Sequence, residues 1–173
     1  SDVSNAGSIK VLLGQIPPSA AATQTVSATE DTAVAITVVA TDDVPGGVLT
    51  YSAGAASNGA VTGGTGGKFT YTPNKDFAGI DSFVVTVTDV DGLSTKQTVT
   101  VNVANVNDAP TVAATQTVAA TEDTAATFTV TGADVDSGDT LTYTAAAAKN
   151  GTVTGGADGK FTYTPNKDFN GTD

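Results

Sequence analysis

The sequence predicts an all-β fold built from tandem antiparallel β-sandwich domains. Three observations lead there. Val and Thr alternate with a period of two, the signature of a half-buried strand rather than a helix. Clusters of Gly, Asp, Asn and Pro interrupt that alternation at roughly ten-residue intervals. The chain also repeats itself: a shift of 92 residues aligns 19–81 with 111–173 without a gap, and 41 of the 63 pairs are identical. A gap-free self-match of this quality marks tandem duplication.

Each element follows in chain order. Residues 1–18 precede the repeat and form an N-terminal segment, either a linker or a donor strand. The first repeat spans 19–110, and within it "AVAITVVA" (33–40), "LTYSA" (49–53), "GKFTYTP" (67–73), "DSFVVTVTD" (81–89) and "STKQTVTVNV" (94–103) read as strands. Their β-branched and aromatic content suits a pleated, half-buried surface. The separators "DDVPGG" (42–47), "SNG" (57–59), "GGTGG" (63–67) and "DVDG" (89–92) carry turn chemistry. Seven or so short strands in such a unit make an immunoglobulin-like sandwich. Phe69, Tyr71, Phe77 and Phe83 are its expected large core residues, with Phe161, Tyr163 and Phe169 their counterparts in the second repeat, 111–173.

The second repeat reaches Asp173, the counterpart of Asp81, and contains no counterpart of "SFVVTVTD" or "TKQTVTVNV". It is therefore expected to lack its last two strands. One expectation is a piece of a longer array. The other is a strand supplied by a second chain, for which "SIKVLL" (8–13) is the candidate donor by β-strand addition.

Composition removes whole classes of function. The 173 residues include no Cys, His, Met or Trp, and all seven basic residues are Lys. Disulfides, Cys or His zinc sites, Ser-His-Asp triads and Arg phosphate clamps are thereby excluded. A net charge of −11 disfavours nucleic acid, whose phosphates need a cationic face. No run approaches the ~18 apolar residues of a membrane span, so membrane insertion is not expected. "GGTGG" lacks the Lys-Ser/Thr ending of a phosphate loop and reads as a hairpin loop.

What the chain does supply is hard oxygen. Of the 18 acidic residues, 16 are Asp and only Glu30 and Glu122 are Glu. Ca2+ takes six to eight oxygen ligands from carboxylates, Asn and backbone carbonyls. Asn105, Asn107 and Asp108 stand in "NVNDAP" (105–110), directly after the last strand of the first repeat. Asp134, Asp136 and Asp139 lie in the early loop "ADVDSGD" of the second. Pro110 restricts its own φ and biases Ala109 to extended backbone, so the junction reads as stiff rather than as a flexible linker.

The ordered set "ATEDT", "VVATDD…LTYS", "GKFTYTPNKDF", "DSFVVTVTD" and "TVTVNVANVNDAP" resembles cadherin-type repeats, in particular the cadherin-like and immunoglobulin-like tandem repeats of large bacterial adhesins. The resemblance implies calcium sites between repeats. Position by position it assigns Glu30 as the early acid, Asp76 as the mid-domain acid, Asn105, Asn107 and Asp108 as the junction, and Asp134 with Asp136 as the D-x-D of the following repeat. Asp42, Asp89 and Asp91 at the other end of the first repeat are candidates for a second metal site, incomplete because "GQIPPSA" (14–20) stands in place of a preceding junction, with a plain turn-capping role as the alternative for Asp89 and Asp91. This sequence departs from the family pattern at Asn105, where an Asp is usual, at the proline, which arrives one residue early, and at "NKD", which has one acid instead of two. Fewer or weaker ions are expected in consequence.

The functional expectation is a non-catalytic, calcium-rigidified spacer of an extracellular surface adhesin, partnered by neighbouring repeats of the same or identical chains. The alternative is a self-assembling extracellular fibre subunit whose second domain is completed by a strand from a neighbouring chain. A glycan-binding module or exoenzyme appendage ranks last, without Trp, His or Arg.

Overall fold

The computed structural model describes residues 16–173. The "SIKVLL" donor expectation and most of segment 1–18 lie outside the described residues. The chain divides into two compact units within "NVNDAP", between Val106 and Asn107. Among the described residues no α-helix occurs, and no helix there is long and apolar enough to cross a membrane.

Unit 1 contains strands β1 (Ser19–Ala20), β2 (Thr23–Thr29), β3 (Val34–Thr37), β4 (Ala40–Thr41), β5 (Thr50–Ala53), β6 (Gly59–Gly63), β7 (Lys68–Pro73), β8 (Gly79–Thr88) and β9 (Ser94–Ala104). One sheet has the order β2-β9-β8-β5, the other β3-β7-β6, and β1 pairs with β4 in a short ribbon. All pairs are antiparallel except β2 with β9, which run parallel from Thr23↔Thr98 to Thr29↔Ala104. A parallel pair needs a long crossover, and here nearly the whole unit serves as that connection.

Alternation makes the core. β9 buries Gln97, Val99, Val101 and Val103 and turns its Thr residues outward; β8 buries Asp81, Phe83, Val85 and Val87. Facing them, Ile36, Val38, Phe69 and Tyr71 are buried from the β3 and β7 side. Tyr71 is fully enclosed, and its ring lies parallel to Phe83 with centroids 6.3 Å apart. Phe77 packs against this core from its margin.

Two differences from the sequence reading concern strands. "AVAITVVA" is not one strand: it breaks at Val38 and Val39 into β3 and β4, which belong to different sheets. β2 and β6 were not expected. β2 (TQTVSAT) is mostly polar and β6 (GAVTG) is flanked by glycines, so neither carries a strong apolar pattern.

Unit 2 contains β10 (Thr111–Val112), β11 (Ala126–Thr129), β12 (Gly132–Ala133), β13 (Gly151–Gly155) and β14 (Lys160–Pro165). β10 pairs with β12, and β11-β14-β13 forms a three-stranded sheet whose register repeats that of β3-β7-β6. Phe161 is buried there and stacks on Phe128 at 5.6 Å. Phe169 and Tyr163, by contrast, remain half-buried.

Candidate metal centre

In unit 2 the pairing of β10 with β12 fixes where the D-x-D begins, because Asp134 follows the last residue of β12. The Asp136 amide donates to Asp134 Oδ1 at 3.1 Å, and the Asp139 amide donates to the Asp136 carbonyl at 3.4 Å. The loop thus curls so that Asp134, Asp136 and Asp139 each offer a carboxylate oxygen within 4.8 Å of the others. Asp136 is buried, 8% exposed. Asp108 is tied to the same loop, since its amide donates to Asp136 Oδ2 at 2.6 Å. Asn107 donates from Nδ2 to the Asp108 carbonyl at 2.9 Å, which shapes the turn and leaves its amide oxygen for other work. Three carboxylates so close repel one another unless a cation or protons intervene.

Asp139 is the residue that the D-x-D pattern alone does not name. Its signal in the sequence is the acidic loop "ADVDSGD" taken whole.

In unit 1, Glu30 directly follows β2 and is 4% exposed. Its amide donates to the Ala104 carbonyl at 3.0 Å, and its Oε1 accepts the Val106 amide. β2 and β9 thereby bring the early acid to the end of the last strand, although 76 residues separate Glu30 from Val106. Asn105 is exposed beside it.

Asp76 has a different setting. It adopts φ +57°, donates its amide to Asp31 Oδ1 at 3.1 Å, and takes Lys75 Nζ on both carboxylate oxygens, at 2.5 and 2.6 Å. The same arrangement recurs in unit 2, where the Asp168 amide donates to Asp123 Oδ1 at 3.0 Å. Asp31 therefore clips the turn after β2 to the loop after β7. Sequence reasoning missed it because partners 45 residues apart leave no periodic trace. Among the described residues no group of three carboxylates includes Asp76.

The acids of the second expected site are Asp42, Asp89 and Asp91. Asp89 is 7% exposed and its Oδ1 caps the turn, accepting the Asp91 and Leu93 amides at 2.9 Å each. Asp42 Oδ1 accepts the Val44 amide at 3.3 Å. The other oxygen of each, Asp42 Oδ2 and Asp89 Oδ2, is buried without a hydrogen-bond partner among the described residues. Turn capping thus accounts for half of each carboxylate. A buried polar oxygen without a partner carries a desolvation cost. Asp91 is exposed, and its amide is its contribution to the turn.

A further carboxylate is structural. Asp81, 5% exposed, accepts four hydrogen bonds: from Ser57 and Ser82 amides on Oδ1, and from the Asn58 amide (2.8 Å) and Tyr71 hydroxyl (2.9 Å) on Oδ2. Burial alone would raise its pKa, but the bonds from Asn58, Ser82, Tyr71 and Ser57 outweigh it and hold the carboxyl below its ordinary value. Burial first, then the bond to Asp81, pushes the Tyr71 phenol well up. Asp81 is a latch between β8 and the loop before β6, and its oxygens are fully used.

Comparison with known proteins agrees with this architecture. No curated protein matches the chain in sequence. The solved extracellular cadherin domains 3–6 of protocadherin gamma B2 superpose with a TM-score of 0.58 at 17% identity, covering 89% of this chain and 39% of that one. Domains 1–5 of the same protein give 0.56 at 18%, covering 89% and 33%. Domains 1–4 of protocadherin gamma B7 give 0.54 at 17%, covering 89% and 42%. This chain thus spans about a third to two-fifths of those chains, and at such identities the likeness establishes the fold. The family model described as "Bacterial Ig domain" matches twice, over residues 15–102 and 107–173. Those two matches take in nearly the whole chain, which therefore belongs to the bacterial Ig-domain family.

Proposed function

We propose that this chain is a non-catalytic spacer of an extracellular surface adhesin, and that Ca2+ stiffens it at the junction of its repeats. The carrying observation is the loop in which Asp134, Asp136 and Asp139 approach within 4.8 Å with Asp136 buried. An all-oxygen, multiply anionic set of this kind suits a hard cation of flexible coordination. Asp108 and Asn107 complete it from the start of the same unit. The resemblance to cadherin-type repeats adds Glu30 and Asn105 from the preceding repeat, so that one ion would be shared and a hinge would become a rod. Asp42 and Asp89 are the candidates for a second ion, on the strength of their buried unpartnered oxygens. A chain without His, Cys or Arg has few groups with which to do chemistry, and a spacer needs none.

The test is calorimetric titration with CaCl2 after exhaustive chelation, paired with small-angle scattering. Heat of uptake and a longer maximum dimension with Ca2+ are expected. Asp136→Asn is expected to weaken binding by about tenfold or more, since it removes one charged ligand. No heat of binding, or a scattering curve unchanged by chelator, refutes the reading.

A further inference from the structure

We infer that the parallel ladder of β2 with β9 is a force-bearing clamp, which keeps unit 1 folded under tension along the chain. This goes beyond stiffening by a cation and needs none. β2 and β9 run parallel over seven register pairs, from Thr23↔Thr98 to Thr29↔Ala104. The chain enters β2 at Thr23 and leaves β9 at Ala104, which lie at opposite ends of that ladder. Tension through the chain therefore pulls the two strands past each other along their axes. All rungs are strained together, and none opens before the rest. Had the pair been antiparallel, entry and exit would share one end and the rungs would open singly.

Bonds outside the strands extend the ladder at both ends. The Thr98 amide donates to the Ala22 carbonyl at 2.9 Å, and the Glu30 amide donates to the Ala104 carbonyl at 3.0 Å. Past that last rung the Val106 amide donates to Glu30 Oε1. The surrounding pairs decide which contact yields. On its other side β9 is held by ten register pairs with β8, so its seven with β2 are the weaker attachment. Ahead of β2, β1 has only two pairs with β4 and is expected to part first, which leaves the clamp as the main resistance. Side chains oppose slippage as well. Val26 and Ala28 pack against the core while Thr25 and Ser27 are exposed, and a slip of one residue would exchange the two sets. A slip of two residues keeps the faces but first breaks every rung.

The test is single-molecule pulling of the full chain in two directions. The chain has no Cys, so introduced pairs place the handles uniquely. Ile16→Cys with Ala109→Cys, both at exposed positions, pulls across unit 1 and shears the ladder. Ile16→Cys with Val90→Cys, in the exposed turn before β9, pulls both strands from the end where each begins and peels them apart. Both variants are measured in chelator at one loading rate. The shearing pair is expected to unfold at about twofold or more the force of the peeling pair, because forced unfolding reports the unfolding rate along the pulled path. Equal or lower force, at matched urea midpoints, overturns the inference. Val26→Pro, added to the shearing pair, tests the ladder itself. Val26 stands four residues before Glu30, so its amide faces β9 as that of Glu30 does, and proline removes it. The shear force is expected to fall toward the peeling value, and an unchanged force overturns the inference as well. Neither result bears on Ca2+ uptake, which the calorimetric titration reads separately.

Discussion

β2 and residues 115–121 differ at one position in seven, Ser27 against Ala119, yet the first is a strand and the second forms no ladder. The same contrast runs through the two units. Glu30 is buried and bonded to the end of β9, while Glu122, its counterpart, is exposed. Tyr71 is fully enclosed, while Tyr163 is half-buried over the same hydrogen bonds to an Asp and an Asn carbonyl. Asp81 and Asp173 accept the same amide pair and phenol, one under cover of the core and the other in solvent. The turns, the Asp latch and the Asp clip thus survive in both units, with or without the cover of a buried core. Strand pairing and burial of the sandwich face depend on β8 and β9, which only unit 1 has among the described residues.

The most forceful way to break that contrast is to make unit 1 resemble unit 2. Val101→Asp places an unpaired charge at a fully buried position of β9. A loss of about 4 kcal/mol or more is expected. Hydrogen exchange at 23–29 should then rise to the level of 115–121, and retained protection would show that β2 is stable without its partner. Next in size is Asp81→Asn, which removes a charged acceptor from four donors and should cost unit 1 about 2–3 kcal/mol by urea unfolding. Asp173→Asn, in solvent, should cost unit 2 distinctly less.

The pH dependence sharpens the same pair. Because the folded Asp81 carboxyl titrates below its unfolded value of about 3.9, its contribution is complete above that pH. It is lost as pH falls through the depressed folded value. Urea midpoints of unit 1 measured down the acid range should fall more steeply for wild type than for Asp81→Asn, which has nothing there to lose. Parallel slopes would contradict the latch.

The smallest effect concerns the tight turn before β7. Gly66 has φ +59°, and its counterpart Asp158 adopts φ +53° without a glycine. Gly66→Asp should therefore change stability by less than about 1 kcal/mol. Its neighbour Gly67 is different: a Cβ there would meet the Val38 carbonyl at 2.2 Å, so Gly67→Ala should be the far more damaging change in the same melting experiment.

Much of this architecture was legible because period-two alternation, turn residues and an internal repeat are local signals. β5, β7, β8 and β9 stand close to where the alternation puts them, and Phe69, Tyr71 and Phe83 are in the core. β2 was not legible, since its polar residues become a strand only beside β9. Nor was the switch of "AVAITVVA" between sheets, which alternation does not encode. At the candidate metal centre the spacing of Asp134 and Asp136 was visible, and the place of Asp139 beside them depended on the curl of the loop.

Alternation, turn chemistry and the choice of Asp over other acids are written in the order of residues, because they depend on neighbours within a few positions. They settled the all-β class, the duplication and the oxygen-rich chemistry of this chain. Which strands pair, which of two equal Glu or Tyr residues is buried, and which carboxylate oxygens are left without a partner came from tertiary packing. Hydrogen bonds across a sheet and desolvation of a core face are made by groups far apart in the chain, and identical segments differ when those groups differ.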